Sequence, residues 1–214
     1  MSDRPLVVAH RAGNDPARAR EACRAGADLV ELDVHLRRGR LEVRHQHRVG
    51  PVWWDSAGIG VAPRRPFELE AALEALQGRV EPLIDLKDGP PRLAEAALGA
   101  ARRVLGPAPV TISARRHALL EPLRDAPGVR LVRSAASRAE VVALRRLAAA
   151  GGAPGVCLRR DRLDPALVAE LRRGAELVMT WPVDDADDAA RLAGWGVNGL
   201  ICDDLTLVAA LRSG

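Results

Sequence analysis

The sequence lacks the segments that would carry a chain into or across a membrane. No apolar run is long enough to span a bilayer, and residues 1–5 lead into Leu6-Val7-Val8-Ala9 without the apolar core of a signal peptide. We therefore expect a cytoplasmic protein with no membrane span. The three cysteines, Cys23, Cys157 and Cys202, are odd in number and lack C-x-x-C spacing, so we expect reduced thiols.

Aromatic residues are scarce, which argues against a nucleic-acid-binding protein. The chain has one Phe, four Trp and no Tyr, whereas single-stranded nucleic acid is commonly bound by stacking bases on aromatic rings. The net charge of +4 comes from arginines spread over helical faces with acids interleaved, not from a basic patch. We expect no nucleic-acid partner. The sequence leaves the oligomeric state open.

Lysine is almost absent. Of the 32 basic residues only Lys87 is a lysine, and all the others are arginines. Lysine carries a compact charge on a flexible stem, while arginine presents a broad planar group, so the two are not interchangeable in a tight site. Either Lys87 persists by chance or its position requires an ammonium group.

Short apolar segments alternate with amphipathic helical segments along the whole chain. Eight segments have strand character: 6–10, 29–36, 83–87, 109–113, 129–133, 155–158, 176–181 and 199–202. Most are apolar on both faces, as in a buried parallel sheet. Eight such units predict an α/β fold, a (β/α)₈ TIM barrel forming one compact domain over residues 1–214. A doubly wound open sheet is the alternative.

Several helix ends are marked by the sequence. Glycines at 78 and 106 are typical of helix C-termini, and Ser137 with Glu140 forms a capping-box pattern. Asp164 before Pro165 predicts another N-terminus, and Asp184 is the expected N-cap of a helix that ends near Gly196.

Two further segments follow the second strand. Residues 41–45 are predicted to extend or pair with that strand. Residues 46–66, which contain Trp53-Trp54, are predicted to form an irregular surface excursion.

Carboxylates are concentrated where a barrel of this kind places its active site, at the C-terminal ends of the strands. Glu31 and Asp33 lie two apart on one strand and share a face, and Asp85 has the same inward position on the third strand. Inward carboxylates are costly unless a cation neutralises them, and a hard divalent ion such as Mg²⁺ or Ca²⁺ suits oxygen ligands. The alternative is an ion network with Arg11 and Lys87.

Two histidines accompany these acids. His10 ends the first strand, and His45 ends the segment 41–45. Because an imidazole titrates near physiological pH, the two can supply a general acid and a general base. Arg11 can bind phosphate oxygens in a bidentate manner, and Lys87 can add charge for an anionic transition state. His35 is ambiguous, and the other two histidines, at 47 and 117, are expected at the surface.

Seven segments resemble, in order, the motifs of one enzyme family. They are 7–11 for an opening His-Arg-Gly strand, 26–34 for Gly-Ala-Asp-x-x-Glu-x-Asp-Val, 39–45 for a run ending in His-Asp, 66–73 for Pro-Thr-Leu-Glu-Glu-Val-Leu, 83–87 for Glu-x-Lys, 181–184 for Trp-Thr-Val-Asn, and 196–203 for Gly-Val-Asp-Gly-Ile-x-Thr-Asp. The segment 26–34 is the most specific match. The chain thus resembles the glycerophosphodiester phosphodiesterases.

The resemblance implies a (β/α)₈ barrel that uses a divalent cation to hydrolyse a small-molecule glycerophosphodiester to glycerol 3-phosphate and an alcohol. The roles implied at matching positions are metal ligands at Glu31, Asp33 and Asp85, the acid–base pair at His10 and His45, phosphate contacts at Arg11 and Lys87, and a pocket wall at Trp181.

The chain departs from the family pattern at three places. Ala12-Gly13-Asn14-Asp15 replaces a loop with a Pro-Glu-Asn-Thr motif, Asp85 replaces a Glu, and Gln46 replaces the Asp after the second histidine. These departures keep open a phosphate-ester-binding barrel with lost or altered turnover. A third possibility is a lysophospholipase D-type phosphodiesterase, if Trp53-Trp54 form an apolar rim.

Overall fold

A computed structural model of the chain describes residues 4–49, 52–55, 58–61, 67–87 and 89–213. Its strands in chain order are β1 (Leu6–Ala9), β2 (Leu29–Arg37), β3 (Arg40–Val43), β4 (His47–Val49), β5 (Val52–Asp55), β6 (Gly58–Val61), β7 (Glu81–Leu86), β8 (Val110–Ala114), β9 (Val129–Ala135), β10 (Gly155–Arg159), β11 (Leu177–Val183) and β12 (Gly199–Cys202). Its α-helices are α1 (Pro16–Arg24), α2 (Leu69–Leu76), α3 (Leu93–Leu105), α4 (Arg138–Ala149), α5 (Pro165–Arg172), α6 (Ala186–Gly194) and α7 (Leu205–Ser213).

Eight parallel strands close into a barrel in the order β1-β2-β7-β8-β9-β10-β11-β12, and β1 pairs with both β2 and β12. This closure confirms the predicted (β/α)₈ barrel and excludes the open sheet. Each of the eight predicted strands is present. Two short 3₁₀ helices, His117–Leu119 and Glu121–Leu123, take the place of an α-helix between β8 and β9.

Alternation along β2 explains why acids face the barrel interior. Leu29 packs in the inner apolar layer, whereas Val30 and Leu32 pack in the outer layer against the helices. Successive side chains of a strand point to opposite faces. Glu31 and Asp33 therefore share the inward face with Leu29, as predicted.

The predicted helix ends are largely confirmed. Gly78 and Gly106 follow α2 and α3 with φ values of 68° and 63°. Ser137 and Glu140 form the capping box of α4. Asp164 caps α5 by accepting a hydrogen bond from the Leu167 amide at 2.8 Å.

The expectation for α6 was wrong by one residue. Its N-cap is Asp185, which accepts from the Asp188 amide at 2.7 Å, because the backbone of Asp185 is extended there. Asp184 instead pairs with Arg160, Nη1 to Oδ2, at 3.0 Å.

Segment 41–45 pairs with β2, as expected, but its strand ends at Val43, before His45. The turn between β2 and β3 places Arg38 and Gly39 at φ values of 50° and 79°, as a tight hairpin turn requires. Segment 46–66 is not irregular where the structure describes it, because β4, β5 and β6 form a separate antiparallel sheet. Residues 50–51, 56–57 and 62–66 lie outside the described part.

Within the described residues, no helix has the length and apolar character needed to cross a bilayer. The cysteines are free, as expected: Cys157 and Cys202 are buried and Cys23 is half-buried.

Candidate active site

Three carboxylates converge inside the barrel at the C-terminal ends of two neighbouring strands. Asp33 on β2 lies directly beside Asp85 on β7 in the strand register, and Glu31 lies on the same face two residues earlier. Glu31 and Asp33 are buried. One oxygen from each of the three carboxylates lies within 4.8 Å of the others. Three oxygen donors in this arrangement fit a hard divalent cation.

The lone lysine lies against the same carboxylates. Lys87 Nζ is 2.5 Å from Asp33 Oδ1 and also contacts Asp85 Oδ2. Burial alone would lower the pKa of Lys87, but Asp85, Asp33 and Glu31 outweigh burial and raise its pKa. The ammonium group is therefore charged. Ion pairs of Arg11 and Lys87 with these acids, the expected alternative to a bound divalent cation, are thus present around Asp33, and the metal ligands stay a prediction.

The short segment after β1 holds Asp33 in place. Asn14 Nδ2 donates to Asp33 Oδ2 at 2.7 Å, and the Asp33 amide donates to Asn14 Oδ1 at 2.8 Å. Asn14 ends a 3₁₀ helix in which Gly13 presses on β2: a Cβ at Gly13 would lie 2.5 Å from Leu32 Cγ. The turn that replaces the family's longer loop therefore supports Asp33.

His10 is held between two acids. Its Nδ1 lies 2.6 Å from Asp203 Oδ1, and its Nε2 lies 3.5 Å from Glu31 Oε2. Burial lowers the pKa of His10, but the bond to Asp203 and the charges of both acids outweigh it and raise the pKa. Asp203, the last residue of the segment 196–203, is thus a site residue to which the sequence pattern assigned no role.

The two acids on β2 differ in their readiness to ionise. Burial, with neighbouring Asp33 and Asp85, raises the pKa of Glu31 to about 7. Burial also acts to raise the pKa of Asp33, but contacts with His45, Lys87 and Asn14 outweigh it and hold the pKa well below its usual range. Asp33 is thus the permanently charged centre of the cluster.

His45 and Arg11 approach Asp33 from the other side. His45 Nδ1 lies 3.2 Å from Asp33 Oδ2, and Arg11 Nε lies 3.7 Å from the same oxygen. The Arg11 backbone amide donates to Glu31 Oε2 at 3.1 Å. Gln46, which replaces the acid that follows this histidine in the family pattern, carries no charge. The carboxylate in contact with His45 is that of Asp33.

All eight residues singled out from sequence meet at the mouth of the barrel. A cavity there is lined by His10, Arg11, Glu31, His45, Asp85, Lys87 and Trp181, and Asp33 lies immediately behind them. Ser113, which the sequence did not reveal, also lines it and donates to Asp85 Oδ1 at 2.6 Å. Buried Cys157 lies at the apolar base, where burial raises the pKa of its thiol.

The remaining histidines lie outside this cluster. Burial, together with Arg44 and Lys87, lowers the pKa of His35 to about 3, so its buried imidazole is neutral. His47 is exposed and stacks on Trp54 with ring centroids 5.7 Å apart. His117 is half-buried rather than at the surface, with Nε2 3.0 Å from the Ser134 carbonyl oxygen.

A groove leads out of the cavity past His10 and His45. Trp53 and Phe67 line it together with the arginines at 18 and 44. Trp54, the neighbour of Trp53, does not line the groove. Trp53 and Trp54 therefore do not form one apolar rim, the arrangement on which the lysophospholipase D-type alternative was conditional.

No protein-family model matches the chain, and no curated protein matches it in sequence. Solved structures do match. A glycerophosphodiester phosphodiesterase from Thermotoga maritima has a TM-score of 0.77 at 17% identity, covering 99% of this chain and 100% of its own. An Oleispira antarctica phosphodiesterase, solved with the product sn-glycerol-3-phosphate, has a TM-score of 0.74 at 18% identity, covering 99% of this chain and 98% of its own.

A glycerophosphodiester phosphodiesterase from Agrobacterium tumefaciens reaches 24% identity with a TM-score of 0.71, covering 98% of this chain and 100% of its own. The chain therefore shares the barrel fold of these phosphodiesterases over nearly their whole length.

Proposed function

We propose that the protein is a divalent-cation-dependent phosphodiesterase that hydrolyses glycerophosphodiesters to glycerol 3-phosphate and an alcohol. The observation that carries the proposal is the meeting of two histidines, the basic side chains of Arg11 and Lys87, and a cluster of three carboxylates at one cavity at the C-terminal end of the barrel. The shared fold with phosphodiesterases, one of them holding sn-glycerol-3-phosphate, supports it.

The cation, Mg²⁺ or Ca²⁺, would be held by Glu31, Asp33 and Asp85, and when bound it would neutralise charge on the phosphate oxygens. Arg11 and Lys87 would bind the same anionic group from the cavity wall. Trp181, also on the wall, would contact the substrate's organic part.

The proposed proton transfers follow from the surroundings of the two histidines. His10, whose pKa is raised, would act as general acid and give its proton to the leaving alkoxide as the phosphorus–oxygen bond breaks. His45, oriented by Asp33, would accept a proton from the nucleophile as the new phosphorus–oxygen bond forms. The nucleophile would be water or the glycerol hydroxyl beside the phosphate. In the second case the first step would release the alcohol and form a cyclic diester, and water would then open that diester to glycerol 3-phosphate.

Purified protein incubated with glycerophosphocholine tests the proposal. We expect release of glycerol 3-phosphate, loss of release with chelator, and recovery with Mg²⁺ or Ca²⁺. Binding of the diester by calorimetry without any product would instead indicate the phosphate-ester-binding barrel. Product release that chelator leaves unchanged would contradict the proposed cation.

A lysophospholipase D-type activity is a second candidate. It is favoured by Trp53 and Phe67, which give the groove beside His10 an apolar wall. A panel of lysophospholipids beside glycerophosphocholine separates the two. The expected cytoplasmic location and the single catalytic domain over residues 1–214 stay predictions.

A further inference from the structure

The small sheet β4–β6 has one polar and one apolar face. Antiparallel partners lie on the same side of a sheet, and residues alternate sides along a strand. Trp53 pairs with Arg48 and with Gly60, and this face is partly covered and borders the active-site groove. The residues that alternate with Arg48, Trp53 and Gly60 along the three strands lie on the opposite face of the sheet, which points away from the barrel.

The outer face consists of Val49, Val52, Trp54, Ile59 and Val61, with His47 at its edge. All are exposed, and Ile59 and Val61 are 82% and 77% accessible. The described part of the chain has only one other exposed large apolar side chain, Val142 on α4. A contiguous apolar patch of this kind marks an interaction surface.

The charge around the sheet favours an anionic lipid surface over a second copy of the chain. Residues 42–65 contain four arginines, two histidines and two acids, and the whole chain carries +4. Two copies brought together through this basic region would repel. Anionic lipid headgroups attract basic segments, and Trp is enriched where a protein meets the membrane interface.

We propose that the outer face docks on anionic phospholipid membranes, with the five apolar side chains entering the headgroup region and the net positive charge of residues 42–65 favouring an anionic surface. The groove lined by Trp53 lies on the other side of the same sheet. Docking therefore holds the groove near the lipid surface, with the small sheet between them. The proposal concerns binding and stands whether or not the protein is a phosphodiesterase.

Vesicle flotation tests the docking. The full chain is mixed with vesicles of phosphatidylcholine, with or without phosphatidylserine, and bound protein is measured at two salt concentrations. We expect binding to the phosphatidylserine vesicles, weakened by salt because the electrostatic part is screened. Replacing Ile59 and Val61 with Ser should reduce the partition coefficient at least ~tenfold, since burial of apolar area supplies the rest.

Val142→Ser is the matched control, because it removes an exposed apolar side chain far along the sequence from the sheet. It should bind as wild type does. A Trp54→Phe variant should lose most of the blue shift in tryptophan emission that vesicles induce in the wild type. Thermal melts should be unchanged in all variants, since the altered side chains are exposed.

Three outcomes would overturn the proposal. The first is equal binding by wild type and I59S/V61S, and the second is no binding to any vesicle. The third is concentration-dependent dimerisation of wild type that I59S/V61S abolishes, which would assign the outer face to a second copy. Glycerophosphocholine turnover without vesicles should stay within about twofold in I59S/V61S. Its absence in wild type would contradict the proposed function and leave the docking result intact.

Discussion

Asp203 Oδ1 lies 2.6 Å from Nδ1 of His10, so a carboxylate from the last barrel strand orients a histidine from the first. Asp203 follows β12 and His10 follows β1, and these strands are adjacent in the closed barrel. The bond raises the pKa of His10 and, reciprocally, lowers the pKa of Asp203. A histidine whose pKa is raised keeps its proton to higher pH, which suits a general acid.

Replacing Asp203 with Asn should therefore shift the pH profile of turnover. Loss of the negative charge lowers the pKa of His10. In a plot of kcat against pH, the alkaline fall in activity, where the general acid loses its proton, therefore moves to lower pH. We expect ~10–100-fold lower kcat at pH 7.5, by analogy with other partners that orient a functional histidine. Asp204→Asn, one residue along and in contact with Thr206 instead, is the control. An unchanged profile in D203N would contradict the role of Asp203.

Removing either histidine should nearly abolish turnover. General acid–base catalysis typically contributes ~10²–10⁴-fold, so His10→Ala and His45→Ala should each lower kcat by at least ~100-fold with glycerophosphocholine. His117→Ala is the control, because the His117 ring bonds to the Ser134 carbonyl oxygen rather than to a carboxylate. Wild-type rates in both active-site variants would refute the proposed mechanism.

Lys87 and the proposed cation compete for the same oxygens. Because Lys87 contacts Asp33 and Asp85, Lys87→Gln should bind Mn²⁺ or Ca²⁺ at least ~tenfold more tightly in calorimetry, while kcat falls. The metal-free variant should melt at a lower temperature than wild type and gain more from added metal. Arg116→Gln, which removes a cation that bonds to the Gly89 carbonyl, should do neither. Weaker metal binding in K87Q would overturn the competition.

The capping box of α4 should make the free energy of unfolding depend on pH. Burial opposes ionisation of Glu140, but hydrogen bonds from the Ser137 and Ala136 amides outweigh it and lower the pKa of Glu140 to about 2. Because folding lowers the pKa of Glu140, its ionised carboxylate stabilises the folded state at pH values above the ordinary pKa of 4.5. This stabilisation is lost as the pH falls from 4.5 towards 2.

Urea unfolding at pH 6, 4 and 3 tests this. Ser137→Ala should cost ~1 kcal/mol at pH 6. Glu140→Gln should be less stable than wild type at pH 6, and the difference should shrink at pH 3. Glu74→Gln on α2, an exposed position, should show no such trend. A difference between E140Q and wild type that grows at low pH would contradict the assignment.

Periodicity predicted the eight strands and the inward face of β2, because burial imposes a local pattern on each strand. Asp203 and Ser113 had no such pattern: their contacts depend on which strands become neighbours after closure. Asp184 and Asp185 are adjacent acids of the same type, so the sequence does not distinguish which of them caps α6. The sheet β4–β6 escaped prediction because glycines and adjacent tryptophans obscure its alternation.

The seam between β1 and β2 is the shortest ladder of the barrel, with only two residue pairs, Val8 with Leu29 and Ala9 with Val30. The site contacts of His10, Arg11 and Asn14 with the acids of β2 all cross this seam. A bound cation and phosphate would tie the same two strands together. We therefore expect occupancy of the active site to stabilise closure of the barrel, so ligand should protect the β1–β2 amides from hydrogen exchange more than those elsewhere in the sheet.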